Sequence, residues 1–175
     1  MTTMFRATTE FMHRVQTDLA RPHPFAAERV GFISIRAAKG KDQLVLLAEN
    51  YHPVADQDYV PDRTVGAMMS QEAIRKALEL ALLQAVGIFH VHVHEHRGLP
   101  RFSRTDLREQ LKFVPDFFKV RPQMPHGAIV LSYDRAIGRV WTAAEAVADI
   151  TEFNLVGPRL TIDRGRPGGG FNLIV

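Results

Sequence analysis

The chain has 175 residues, 46% of them apolar and 23% charged, the balance of an ordinary globular protein rather than a disordered or fibrous one. Lys and Arg total 22 against 19 Asp and Glu, a net charge of +3 that is too slight to require nucleic acid or a membrane surface as partner. Cysteine is absent, which excludes disulfide frameworks, thiolate nucleophiles, zinc ribbons and iron–sulfur sites. The length fits one domain over residues 1–175, able to bury a core without staples. The longest apolar stretch, Ala73 to Phe89, is interrupted by Arg75, Lys76, Glu79 and Gln84, so no membrane span is expected. Met1 to Met12 lacks an apolar signal region, and the cytoplasm is the expected compartment.

In chain order, Thr8 to Ala20 spaces Phe11, Val15 and Leu19 as a helical stripe, with threonines ready to cap it and Arg21-Pro22-His23-Pro24 to stop it. Glu28 to Arg36 reads as a buried strand, and Gln43 to Ala48 as its hairpin partner across Lys39-Gly40-Lys41-Asp42. Asn50 to Thr64, with its prolines and aspartates, reads as an irregular crossing loop. Ser70 then caps a helix carrying Ile74, Ala77, Leu78, Ala81 and Ala85, closed by Gly87.

Ile88 to His94 is a strand that runs into an arginine-rich loop. Ser103-Arg104-Thr105-Asp106 opens another helix, with Leu107, Leu111 and Val114 on one side and its end near Pro115. Ala128 to Tyr133 and Ile137 to Thr142 form a late hairpin around Asp134-Arg135. Gly165 to Gly170 reads as a turn or hinge, and Phe171 to Val175 as a final strand. The interleaving predicts an α/β fold, a mixed sheet covered by helices.

Of the eight histidines, four fall at 90, 92, 94 and 96. Alternate side chains on a strand share a face, so all four can point one way. Two imidazoles at i and i+2 suit tetrahedral zinc, and a carboxylate as third ligand leaves the fourth position to water, as in catalytic sites. A histidine-rich strand end on the surface is the plainer account of any one of them. The spacing downstream changes the balance between the two. Eight residues separate His94 from Ser103, and two more separate Ser103 from Asp106. The registers starting from His90 or His94 place arginine or threonine at those positions. Ser103 and Asp106 also have the form of a helix capping box, which is compatible with a site at the helix mouth.

This His-x-His-x(8)-Ser-x-x-Asp pattern resembles the signature of the JAMM/MPN zinc metalloproteases, and Glu28-Arg29-Val30-Gly31 resembles that family's upstream Glu-x-x-Gly strand start. The likeness runs over about residues 5–145, with Asn50, Tyr59 to Asp62 and the hairpin from Ile129 to Trp141 in matching order, and leaves 146–175 as a C-terminal extension. Many members carry proline after the second motif histidine; this chain carries Glu95.

The resemblance implies a JAB-type domain of three layers, related in architecture to cytidine deaminases. It implies one zinc per chain on His92, His94 and Asp106, Glu28 as the group that takes a proton from water, and Ser103 as a donor to the oxyanion. It further implies isopeptide or peptide cleavage after the C-terminal glycines of a ubiquitin-like protein. Activating- and conjugating-like enzymes would share such a pathway, in some members one of antiviral defence. The alternatives are a zinc hydrolase of a small amide and a non-catalytic MPN-type binding module. A zinc deaminase of the ordinary kind needs cysteines that this chain does not have. Arg97, Arg101, Arg104 and Arg108 flank the motif as a solvated face or as a steering surface for an acidic substrate.

Overall fold

The structure is a computed structural model and describes residues 1–23, 26–62 and 66–165. Its elements run β1 (Thr2–Thr8), α1 (Thr9–Leu19), β2 (Val30–Lys39), β3 (Gln43–Pro53), α2 (Gln71–Gln84), β4 (Gly87–Val93), α3 (Arg104–Val120), β5 (His126–Leu131), β6 (Ala136–Ala143), β7 (Ala146–Asp149), β8 (Glu152–Val156) and β9 (Thr161–Asp163). A short 3₁₀ turn, Asp56–Asp58, follows β3. The nine strands form one mixed sheet in the order β7-β6-β5-β4-β2-β3-β1-β8-β9. β4 pairs antiparallel with β2 and parallel with β5.

The sheet curls until its two halves nearly meet. Ile150 donates its backbone N–H to Gly138 on β6, while its neighbour Thr151 donates to Thr3 on β1. In the ladder, four strands separate β6 from β1, a span of roughly 24 Å if the sheet were flat. The rings of Phe5 on β1 and Phe89 on β4 lie 6.3 Å apart for the same reason. α1 fills the inside of the curl through Phe11, Met12, Val15 and Leu19, all part of one buried apolar cluster with Phe5, Ile33 and Val91. A second cluster on the outer face joins Val30, Phe32 and Ile88 to Ala77 of α2 and Phe117 of α3. The result is a mixed sheet with helices on both sides. No helix among the described residues is long and apolar enough to cross a membrane.

Several boundaries differ from those read in the sequence. β1 was not anticipated, and it pairs parallel with both β3 and β8. The stretch set apart as an extension supplies β7, β8 and β9. β3 continues through Asn50 to Pro53, because antiparallel pairing with β2 persists beyond a bulge at Ser34. α2 ends on Ala85, which takes the left-handed conformation at φ 56°. Gly87 instead opens β4, where a Cβ would meet the Pro125 carbonyl oxygen at 2.1 Å.

α3 runs through Pro115 to Val120. Its last turn brings Phe117 into the core and rotates the buried stripe onto Gln110, Val114 and Phe117. Leu107 and Leu111 therefore face outward, 37% and 59% exposed. The final strand expected at 171–175 and the glycines at 168–170 lie outside the described residues.

Candidate metal centre

The site forms where the C-terminal end of β4, the N-terminal end of β2 and the mouth of α3 meet. Alternation on β4 turns Phe89, Val91 and Val93 inward to the α1 core. His90 and His92 take the other face, and His94 and His96 continue the row, with successive ring centroids 5.4, 5.0 and 6.2 Å apart. The row spans a gradient of environment. His90 is enclosed by Phe32 and Phe113, and burial pushes its imidazole down to about 3. His92 is buried, His94 half-buried and His96 exposed.

His92 and His94 converge, their Nε2 atoms 3.3 Å apart. Asp106 closes a triangle, with Oδ1 at 3.4 Å from His92 Nε2 and Oδ2 at 3.8 Å from His94 Nε2. Ligands bound tetrahedrally at zinc's usual bond lengths stand about 3.3–3.4 Å from one another, so this donor triangle fits that ion. Glu28 completes the group, its carboxylate and the two histidine nitrogens all lying within 4.8 Å of one another. A partly buried Glu28, His92 and His94 group of this kind could hold a metal ion.

Ser103 and Asp106 form the capping box of α3. Asp106 N–H donates to Ser103 Oγ at 3.0 Å, and Ser103 N–H donates to Asp106 Oδ2 at 2.7 Å. The cap orients the carboxylate, leaving Oδ1 aimed at His92. Burial alone would raise the Asp106 carboxyl, but hydrogen bonds from His92 and Ser103 outweigh it and hold the group well below the usual range. Burial likewise is the first cause raising Glu28, reinforced by Asp106 and Glu95 and opposed by His92. His94 is lowered by burial first and then by His92. Ser103 is exposed at the site's rim, with its hydroxyl hydrogen left to donate. Glu95 is exposed and stands outside the converging group.

Two residues that the sequence did not single out hold Glu28 in place. Its backbone N–H donates to the Gly66 carbonyl at 2.8 Å, and a Cβ on Gly66 would come within 2.8 Å of its Oε2. A larger residue there would make the carboxylate shift from this position. Arg29, 4% exposed, anchors the preceding segment by pairing with Asp56 at 2.7 Å and donating to the Arg21 and Pro22 carbonyls. No sequence signal marks Gly66, since its role depends on a contact across the fold. In the sequence Arg29 is visible only as the arginine next to the motif glutamate; its burial and its partners are not. Gly31 of the Glu-x-x-Gly segment has its own reason: a Cβ there would meet the Tyr51 ring at 2.5 Å.

No family model and no curated protein matches the sequence. Among solved structures, the chain is similar to the Trichoplax adhaerens STIL N-terminal domain, at 10% sequence identity and a TM-score of 0.36. That alignment covers 75% of this chain and 38% of the other. The chain thus spans well under half of that structure, and so distant a likeness bears on neither activity nor partners.

Proposed function

We propose that the chain is a zinc-dependent isopeptidase or peptidase acting after the C-terminal glycines of a ubiquitin-like protein. The observation that carries the hydrolase reading is the donor triangle of His92, His94 and Asp106 at 3.3, 3.4 and 3.8 Å, with Glu28 beside it. The substrate class follows from the motif resemblance.

Zinc held on those three side chains would supply Lewis acidity and lower the pKa of water at the site. The protein's own groups do the rest. Glu28 takes a proton from the attacking water and delivers it to the leaving amine, a task suited to a carboxyl raised by burial. Ser103 O–H donates to the carbonyl oxygen as negative charge develops there. Asp106 is kept ionised by its hydrogen bonds and so remains a ligand under mildly acidic conditions. Gly66 and Arg29 hold Glu28 in register with the histidines.

Elemental analysis of purified protein should find one zinc per chain. His92→Ala, His94→Ala and Asp106→Ala should each lose it, whereas His90→Phe and His96→Ala should keep it. Zinc retained by all three ligand variants would overturn the assignment. Mass spectrometry on fusions of ubiquitin-like proteins should then show cleavage directly after the terminal glycines and none after a Gly→Ala change at the tail. Activity confined to short free amides would move the reading to a small-amide hydrolase.

A further inference from the structure

Beyond β4 on its β5 side, opposite β2, lies a second polar cluster that the proposed chemistry does not use. It is centred on the turn between β5 and β6, residues 132–135. The loop that leaves β4 with His94 is bonded to this turn at three points and to the last residue of β5 at a fourth. His94 N–H donates to the Leu131 carbonyl at 2.8 Å, and Tyr133 N–H donates to the His96 carbonyl at 3.0 Å. Gly98 N–H donates to Asp134 Oδ1 at 2.8 Å, and the Gly98 carbonyl accepts from Ser132 Oγ at 2.7 Å. Gly98 can offer both its backbone groups to the turn because it sits at φ +90°, a conformation that favours glycine.

The turn is anchored in its own right from the far edge of the sheet. Arg135 makes a forked pair with Asp163 on β9, both bonds 2.8 Å long, and the two side chains are 5% and 0% exposed. Asp163 Oδ1 also accepts from Gly165 N–H at 3.0 Å. β9 is the last strand of the ladder, and only the curl of the sheet brings it to this turn. A buried ion pair adds little net stability compared with an apolar contact, but its bidentate geometry fixes direction.

We propose that the Arg135–Asp163 pair is a clasp through which β9 positions the loop carrying His94, so that metal affinity depends on the chain's last described strand. Arg135 and Asp163 are positioning residues: neither touches the donor triangle, and both act through Ser132, Asp134 and the backbone of Gly98. The inference rests on the zinc reading above.

The test measures zinc affinity by competition with a chelator, and amide hydrogen exchange in the zinc-free protein. Asp163→Ala should weaken zinc binding about tenfold, the lower end for a residue that supports ligands indirectly, and should speed exchange at the Gly98 and Tyr133 amides. Asp163→Asn keeps the shape and half the acceptor strength, gives a smaller loss, and decides the question if the alanine variant fails to fold. Val86→Ala, a change in the second apolar cluster rather than the one that flanks the turn, serves as the control: it should lower the melting temperature and leave zinc affinity as it was. Wild-type affinity in both Asp163 variants, or an equal loss in the control, would overturn the clasp. If the wild-type chain binds no zinc, the zinc reading fails, and faster exchange at Gly98 and Tyr133 in the variants would still uphold the clasp.

Discussion

The two faces of β4 put one strand to two uses. Inward, Phe89, Val91 and Val93 are at most 5% exposed and belong to the apolar cluster around α1. Outward, His90 and His92 are also nearly buried, yet they carry titratable rings. His90 packs between Phe32 and Phe113, whereas His92 faces a helix mouth and two carboxylates rather than a closed core. The inner face gains from burial alone, at roughly 25 cal/mol per Å². The outer face gives up that gain at His92, which desolvates an imidazole without a hydrogen-bond partner on Nδ1 among the described residues. A cost of this kind persists in a fold where the group has a task. Stability and chemistry are thus separated by a single step of the strand's alternation.

The sharpest break of that comparison pairs one residue at the outer site with one on the inner face. Glu28→Gln should abolish turnover while keeping fold and zinc, because an amide cannot accept the proton. Phe89→Ala should do the reverse. It should cost about 3–5 kcal/mol of stability by denaturant unfolding, as buried phenylalanines do, and the surviving folded fraction should turn over normally per bound zinc. Turnover by Glu28→Gln at the wild-type rate would remove Glu28 from the chemistry.

The same division explains what could be read in the sequence. The site was legible because its spacing is short-range: His92 and His94 share one strand, Ser103 and Asp106 one helical turn, and the structure brings these four and Glu28 together. The helices α1 and α2 were legible from their caps, Thr8 and Ser70, which accept from Phe11 N–H and Ala73 N–H as expected. The curl was not legible, since it depends on β1 pairing with β3 and β8 across long separations. Pro115 misled the reading of α3. Its missing N–H and ring clash usually end a helix at a cost of about 3 kcal/mol, but here burial of Val114 and Phe117 on either side carries the helix through. Gly66 was invisible for the reason that hid the curl: its partner is Glu28, nearly forty residues away.

A finer probe addresses the rim of the outer face, where a cap and a chemical role meet in one side chain. Ser103 Oγ accepts the Asp106 N–H and has a hydrogen left to give. Ser103→Ala should therefore lower kcat by roughly 10²–10³ through the lost oxyanion donor and lower stability by about 1 kcal/mol through the lost cap. Thermal melts set beside kcat separate the two. A melt shift with unchanged kcat would leave Ser103 a cap alone.

The smallest effect concerns how the outer face is held from below. His126 sits between Phe117 and Phe118, accepts the Ile88 N–H on Nδ1 at 3.1 Å, and so must carry its proton on Nε2, which donates to the Arg121 carbonyl at 3.0 Å. Burial pushes the ring down to about 4, with the Arg121 bond opposing. A folded-state value below the unfolded value of 6.5 means that the unfolded chain takes up the proton first as the pH falls. The stabilisation is complete above pH 6.5, declines between about 6.5 and 4, and is gone below that window. From pH 7 to pH 5 the loss assigned to His126 should be about 2 kcal/mol. His90, also depressed by burial, contributes a slope of its own, so the diagnostic is a difference between proteins. His126→Asn keeps an acceptor for Ile88 N–H but does not titrate. Its unfolding free energy should fall less steeply than the wild type's over that range, and parallel slopes would mean that the proton is taken up elsewhere.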